Sequence, residues 1–125
     1  MSGQERVFAA LAAILRRHAA GLSLRTDAPG HLYVELAPAT PGARPGFFGA
    51  VQAKKSYVSY HLMPVYEDPS LLDGISPALR KRMQGKSCFN FSAPDSALFD
   101  ELDALTARCA EAATARAPDA ARQDR

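Results

Sequence analysis

Residues 47–63, FFGAVQAKKSYVSYHLM, and residues 87–91, SCFNF, decide the fold of this chain. The first stretch holds two apolar and aromatic runs that meet at Lys54 and Lys55. Aromatic and β-branched residues favour strands, and two runs joined by a short polar turn are typical of an antiparallel hairpin. We therefore predict strands over residues 47–53, 56–63 and 87–91.

The second of these strands has a face that can be assigned by parity. Side chains alternate between the two faces of a strand. If Val58, Tyr60 and Leu62 point to the core, the residues between them and on either side of them point to the opposite face. Those residues are Tyr57, Ser59, His61 and Met63.

The pattern of the N-terminal third predicts a helix followed by a hairpin. Apolar residues recur at offsets of three and four over residues 4–20, which predicts an amphipathic helix that Gly21 can end. Two strands are predicted at 22–26 and 31–37, with the turn-rich DAPG between them. Residues 38–46 hold three prolines and two glycines, which predicts a loop.

Two short helices and one long helix complete the pattern. One short helix is predicted to begin at Asp68-Pro69 and to end at Gly74. The other is predicted to begin at Ser76-Pro77 and to end at Gly85. A long amphipathic helix is predicted over residues 95–115, capped by Ser92 or Asp95. Residues 116–125 have no apolar anchor and are predicted to be a disordered tail.

This element order predicts an α+β fold. The order is α-β-β-β-β-α-α-β-α, and consecutive strands mostly form hairpins. We expect a five-stranded, mostly antiparallel sheet with the N- and C-terminal helices on one face. At 125 residues the chain is long enough for one core, so residues 1–115 are predicted to be a single domain.

Composition limits the class of protein. Apolar residues make up 47% and charged residues 22% of the chain, which is ordinary globular usage. No run of about 18 apolar residues and no export signal is visible, so we predict a cytoplasmic protein with no membrane partner. Cys88 and Cys109 are interpreted as small buried hydrophobes rather than a crosslink.

Charge is concentrated in the middle of the chain. Residues 44–86 hold seven basic and three acidic residues, a local charge of +4, against a total of +2. Such a segment can attract phosphate, carboxylate ligands or nucleic acid. Short charge runs are also typical of an ordinary solvated surface.

One family resemblance emerges from the second half. Its features are the strand before the Lys54-Lys55 turn, the strand ending before Pro64, the GKSCFNF segment and the terminal helix. Together they resemble the YdhG-like family, which consists of small bacterial proteins with a domain of unknown function. The similarity covers residues 47–109. It implies an α+β fold, and for some family members an iron-chaperone or frataxin-like role.

An iron role would depend on clustered carboxylates, because hard iron prefers oxygen ligands. The predicted last helix holds the candidate cluster, which is Asp95, Asp100, Glu101 and Asp103. Acids near a helix N-terminus also complement the helix dipole. We interpret these four as a solvated helix face.

Motifs for catalysis and for zinc are missing from the sequence. No nucleophile elbow, phosphate-binding loop or dinucleotide motif is present. Cys88 and His61 can meet across the predicted sheet, although a core position suits Cys88 equally well. The five His and Cys residues include no pair within four positions, unlike a zinc site. We predict a protein that is not an enzyme and that holds no metal or cofactor.

The remaining hypothesis is a binding surface on the sheet face opposite the helices. Aromatic and polar side chains there, flanked by lysines, suit a small anionic ligand. The predicted ligand-binding residues are Lys55, Tyr57, His61, Lys86 and Asn90.

Two alternatives use the same region. An open sheet face with several aromatics is also suited to protein association, including a homodimer. The basic residues at 80–86 suit weak nucleic-acid binding. The low net charge and the absence of a known motif argue against nucleic acid as a partner.

Overall fold

The computed structural model describes residues 3–36, 41–44 and 46–123, with side chains as far as residue 113. The predicted end of the second strand at residue 37 and part of the predicted 38–46 loop lie outside the described residues. The strands are β1 (Ser23–Ala28), β2 (His31–Leu36), β3 (Gly46–Ala53), β4 (Val58–Leu62), β5 (Met83–Gln84) and β6 (Cys88–Phe91). The helices are α1 (Gly3–Arg17), α2 (Met63–Glu67), α3 (Pro77–Arg80) and α4 (Ser96–Gln123), with a 3₁₀ helix at Pro69–Leu72.

The six strands form one open sheet in the order β1-β2-β3-β4-β6-β5. Every neighbouring pair is antiparallel. The α+β class is confirmed, whereas the predicted count of five strands is wrong. The sixth strand is β5, which lies at the sheet edge because it forms a hairpin with β6.

The predicted helix from Ser76 to Gly85 is wrong beyond Arg80. Ser76 caps α3 as predicted, with its Oγ accepting from the Leu79 backbone N–H at 3.1 Å. After Arg80 the chain turns into β5, and Gly85 makes the tight turn back with a φ of +76°. Met83 pairs with Phe89 and packs against the core, so strand parity and not helical periodicity explains its burial.

The fourth strand is also shorter than predicted. Strand β4 ends at Leu62, and Met63 and Pro64 begin α2. Proline has no N–H to donate to a sheet ladder, but it is well suited to the first turn of a helix. The Met63-Pro64 pair therefore marks a change from strand to helix.

Helices α1 and α4 cover one face of the sheet, which we call the inner face. In β4, the side chains of Val58, Tyr60 and Leu62 are buried there, and the residues between them are half-buried on the other side. The parity assigned from the sequence is confirmed for residues 58–62, whereas Tyr57 lies in the turn before β4 and Met63 begins α2. The other strand residues in this core are Leu32, Val34, Phe48, Val51, Phe89 and Phe91.

The two long helices are joined at the surface by Asp103. Its carboxylate accepts hydrogen bonds from Arg17 and His18, at the end of α1. Helix α1 ends at Arg17, three residues before the predicted position. Gly21 then adopts a left-handed φ of +81°, as a chain reversal into β1 requires.

Helix α4 begins after Asp95, whose Oδ1 accepts from the Leu98 backbone N–H at 3.2 Å. The helix continues to Gln123, past the predicted end at residue 115. Only the backbone is described over 114–123, and residues 124–125 lie outside the described part, so the disordered tail stays a prediction. Neither α4 nor another described helix combines the length and apolarity needed to cross a bilayer.

Candidate functional site

The sheet face opposite α1 and α4, which we call the outer face, carries the candidate site. Helices α1, α2 and α3 all contact α4. Within the described residues, therefore, the helices gather on the inner side. The outer face presents half-buried side chains from four adjacent strands. They are His31, Tyr33, Glu35, Phe47, Ala50, Ser59, His61, Cys88 and Asn90, together with the more exposed Gln52.

Three rings on the outer face form an aromatic wall, defined as Tyr33, Phe47 and His61. Tyr33 and Phe47 are stacked, with ring centroids 4.8 Å apart, and the edge contact between Phe47 and His61 spans 4.9 Å. His31 extends the contacts through an edge-on arrangement 6.3 Å from Tyr33. Offset and edge-to-face geometries of this kind are favourable for aromatic pairs.

A β-bulge places Phe47 in this wall. Val34 pairs with Gly49, but the next residue, Glu35, pairs with Phe47, so Phe48 is the extra residue in β3. A bulge reverses the side-chain alternation beyond it. Phe48 is consequently fully buried in the core, and Phe47 reaches the outer face.

A row of hydrogen-bonding side chains runs across the outer face beside the wall. This polar row is His31, Gln52, Ser59 and Asn90, which are neighbours in strand register. Directly opposed side chains on paired strands lie about 5 Å apart. Lys54 adds a positive charge to the row, since its Nζ donates to Gln52 Oε1 at 2.8 Å.

Ala50 lies between two rings of the wall and next to the polar row, and we infer a shallow depression over its small side chain. It is directly paired with Tyr33 on one side and with His61 on the other. Phe47 contacts both of these rings and so covers one side of the Ala50 methyl group, which leaves the side toward the polar row for the depression. The depression therefore has a small apolar floor, aromatic sides and a polar rim with one lysine.

Ser87 holds the His61 ring in the wall. Ser87 Oγ and His61 Nε2 are hydrogen-bonded at 2.8 Å, and Ser87 is only 6% exposed. Burial lowers the pKa of His61 below its ordinary value of 6.5. At neutral pH the ring is therefore uncharged and serves as an aromatic surface.

His61→Gln is expected to reduce the loss of stability in acid. The unfolded chain binds a proton at His61 below about pH 6.5, whereas the folded chain resists protonation there. The stabilisation from neutral His61 is present above that pH and is lost as pH falls. Urea unfolding at about pH 7.5 and about pH 5.5 should show a smaller difference for His61→Gln than for the wild type; an equal difference would contradict the assignment.

Cys88 is a neighbour of His61 but not an activated nucleophile. The two residues are directly paired across β4 and β6, as the sequence allowed. Burial raises the pKa of the Cys88 thiol, an effect partly offset by a hydrogen bond with Ser59 and by the charge of Lys54. The thiol is therefore protonated at neutral pH, and the reactive species of a cysteine is the thiolate. Cys109 is deeper in the core, where burial raises its pKa to about 12.

The structure brings two of the five predicted site residues together on the outer face. His61 belongs to the aromatic wall and Asn90 to the polar row. Tyr57 and Lys55 lie in the turn between β3 and β4, Tyr57 half-buried and Lys55 exposed. Lys86 lies at the other end of β4, with its Nζ 5.9 Å from the centroid of the Tyr66 ring.

Sequence reasoning did not select several residues that shape the depression. The sequence FFGA does not show which phenylalanine points outward, because residues 47 and 48 are identical and the bulge is not visible in the pattern. Lys54 and Lys55 are indistinguishable in sequence, but Lys54 is the one hydrogen-bonded to Gln52. Ser87 is the partner of His61 only because of the pairing between β4 and β6.

The acids proposed for iron have structural partners or are solvated. Asp95 caps α4, and Asp103 binds Arg17 and His18. Glu101 accepts from the backbone N–H and the hydroxyl of Ser76, at 2.8 and 2.7 Å. Asp100 is exposed. Across the part of the chain that the structure describes, no group of three His, Cys, Asp or Glu side chains is arranged to hold a metal ion.

Comparison of the chain with protein-family models, with curated proteins and with solved structures finds no match. The resemblance to YdhG-like proteins therefore stays a prediction.

Proposed function

We propose that this protein is a non-enzymatic binding domain for a small aromatic anion, which occupies the depression above Ala50. The observation that carries the proposal is the placement of Ala50 between two rings, beside a row of hydrogen-bonding groups. A flat ring can lie over Ala50 on the side toward the polar row, between Tyr33 and His61, because Phe47 covers the other side. A carboxylate or sulfonate on that ring can then reach the polar row.

The charges around the depression favour an anion over a cation. Lys54 is the basic group at the rim, and it is held there by Gln52. His61 is neutral because burial lowers its pKa. It therefore adds an aromatic surface to the site and no charge. Glu35, the acid on the same face, lies with one carboxylate oxygen 3.5 Å from Arg25, which offsets its repulsion.

The chemistry of the site supports binding rather than catalysis. Cys88 is protonated at neutral pH, as its raised pKa implies. Ser87 is hydrogen-bonded to His61, but at 6% exposure its hydroxyl is poorly accessible to a bound substrate. A nucleophilic mechanism requires an accessible and activated group.

The proposal is tested with 8-anilinonaphthalene-1-sulfonate, an aromatic anion that fluoresces when bound. We expect saturable 1:1 binding to the wild type. Ala50→Leu should weaken it at least about tenfold, because the larger side chain fills the depression at little cost on a partly open face. Lys54→Ala should weaken it about fivefold through loss of one partly exposed charge contact.

Lys55→Ala is the matched control. It removes the same charge from the next residue of the same turn, and it should change the affinity less than about twofold. Thermal unfolding of each variant checks that the fold is kept. Equal effects of the two lysine variants, or unchanged binding in Ala50→Leu, would overturn the proposed site.

Self-association through the same face is the second candidate. The stacked rings of Tyr33 and Phe47 remain half-buried on an otherwise open sheet, and a face of this kind is suited to a second copy of the chain. Light scattering on the wild type and on Phe47→Asp distinguishes the two functions. A dimer mass that Phe47→Asp halves supports association, and a monomer mass in both supports the ligand site.

A further inference from the structure

A second surface lies at the other end of β4, around an exposed tyrosine. Tyr66 in α2 has 55% of its surface exposed. In the described part of the chain, the exposed large hydrophobic residues are Tyr66 and Leu24. Lys86 Nζ lies 5.9 Å from the Tyr66 ring centroid. Lys86 therefore lies over one face of the tyrosine ring, and much of the rest of the ring is accessible.

Three further cations lie along the same edge of the sheet, toward the other end of the β5–β6 hairpin. Arg80 ends α3, and Lys81 and Arg82 form the turn into β5. Lys86 lies in the turn of the β5–β6 hairpin, whereas Arg82 lies opposite Asn90 at its far end, where the Asn90 backbone N–H donates to the Arg82 carbonyl at 2.8 Å. Residues 80–86 thus carry a charge of +4 with no acid among them, and all four cations are exposed.

We propose that this surface, defined as Tyr66, Arg80, Lys81, Arg82 and Lys86, binds single-stranded nucleic acid. An exposed aromatic ring can stack on an unpaired base, and the cations along the hairpin can contact successive phosphates of the same strand. A duplex keeps its base faces stacked inside and does not offer them to Tyr66. The low net charge of the chain makes the binding weak and sensitive to salt.

The nucleic-acid surface meets the polar row at Arg82, which lies opposite Asn90, but Lys86 and Tyr66 are distant from Lys54. Lys54 lies before the start of β4, whereas Lys86 lies next to Ser87, whose carbonyl accepts from the backbone N–H of Leu62 at the end of that strand. Four residues of a strand span about 13 Å. The variants used below change Tyr66, Arg80, Lys81 and Lys86 and leave Arg82 and the polar row intact, so each proposal can fail without the other.

The test is fluorescence anisotropy with a labelled oligothymidine of about 20 nucleotides. Four phosphate contacts on a single strand predict a salt slope of about −2.8, so the affinity should fall about 50-fold between about 50 and about 200 mM salt. Tyr66→Ala should weaken binding about tenfold at the lower salt by removing the stacked base. A duplex of the same length should bind more weakly than the single strand.

A matched pair of charge variants separates this surface from general attraction. The triple variant Arg80→Gln/Lys81→Gln/Lys86→Gln should leave only about a threefold salt effect, as expected for one remaining contact. Arg6→Gln/Arg44→Gln/Lys55→Gln removes three exposed cations elsewhere and should retain most of the slope. Three results would overturn the proposal: no binding at the lower salt, equal effects of the two triple variants, or an unchanged affinity in Tyr66→Ala, which would indicate a site for any polyanion.

Discussion

Gly49→Ala is expected to lower the free energy of unfolding by about 3 kcal/mol. A Cβ at this position in β3 would lie 2.7 Å from the backbone carbonyl oxygen of His61 and 3.3 Å from Leu15 Cδ1. The carbonyl belongs to the neighbouring strand and cannot move without opening the ladder between β3 and β4. Gly49 is therefore the position at which α1 and β4 both approach the β3 backbone closely.

Gly3→Ala is the control for this substitution. A Cβ at Gly3 meets no atom within 4 Å, and alanine favours a helix over glycine by up to about 1 kcal/mol. Urea unfolding should therefore show a clear loss of stability for Gly49→Ala and none for Gly3→Ala. A loss below about 0.5 kcal/mol in Gly49→Ala would show that β3 and β4 can separate easily, contrary to the sheet described here.

Thr106→Val is expected to cost about 2 kcal/mol, twice the cost of Tyr60→Phe. The Thr106 hydroxyl donates to the Leu102 carbonyl at 2.7 Å, so the Tyr60 hydroxyl donates to Thr106 Oγ1, 2.6 Å away. Burial raises the pKa of Tyr60 far above its ordinary value and keeps it protonated as a donor. Removing Thr106 leaves this donor buried without a partner, whereas Tyr60→Phe leaves Thr106 bonded to Leu102.

The double variant Tyr60→Phe/Thr106→Val tests whether these two hydroxyls act together. Removing both partners of a buried hydrogen bond costs less than the sum of the single losses. Chemical unfolding of the four proteins gives the coupling free energy, which should be about 1 kcal/mol or more. Additive losses would mean that the contact between β4 and α4 contributes no stability of its own.

The alternation within β4 predicted the orientation of the central strand from sequence. Val58, Tyr60 and Leu62 are apolar or aromatic at every second position, and one face of an antiparallel sheet is buried under helices. The same logic did not identify β5, because two residues are too short for a periodic signal. Met83 fits a helical stripe and a strand position equally well until Phe89 pairs with it.

The candidate site depended on contacts between strands, which sequence periodicity does not contain. Placing Phe47 outward requires the bulge opposite Glu35, and placing Lys54 over the polar row requires the turn that brings it to Gln52. Parity identified His61 and Asn90 because each lies within a regular strand. Lys55 and Lys86 lie in turns, where alternation no longer determines direction.

The most direct test of the ligand site is a proton–nitrogen correlation spectrum of the amides, titrated with 8-anilinonaphthalene-1-sulfonate. An aromatic anion bound above the smallest side chain of the outer face should shift the amides of Ala50, Gln52 and Ser59 most strongly and leave those under α4 nearly unchanged. Shifts concentrated around Leu24 or Tyr66, with Ala50 unaffected, would contradict the account.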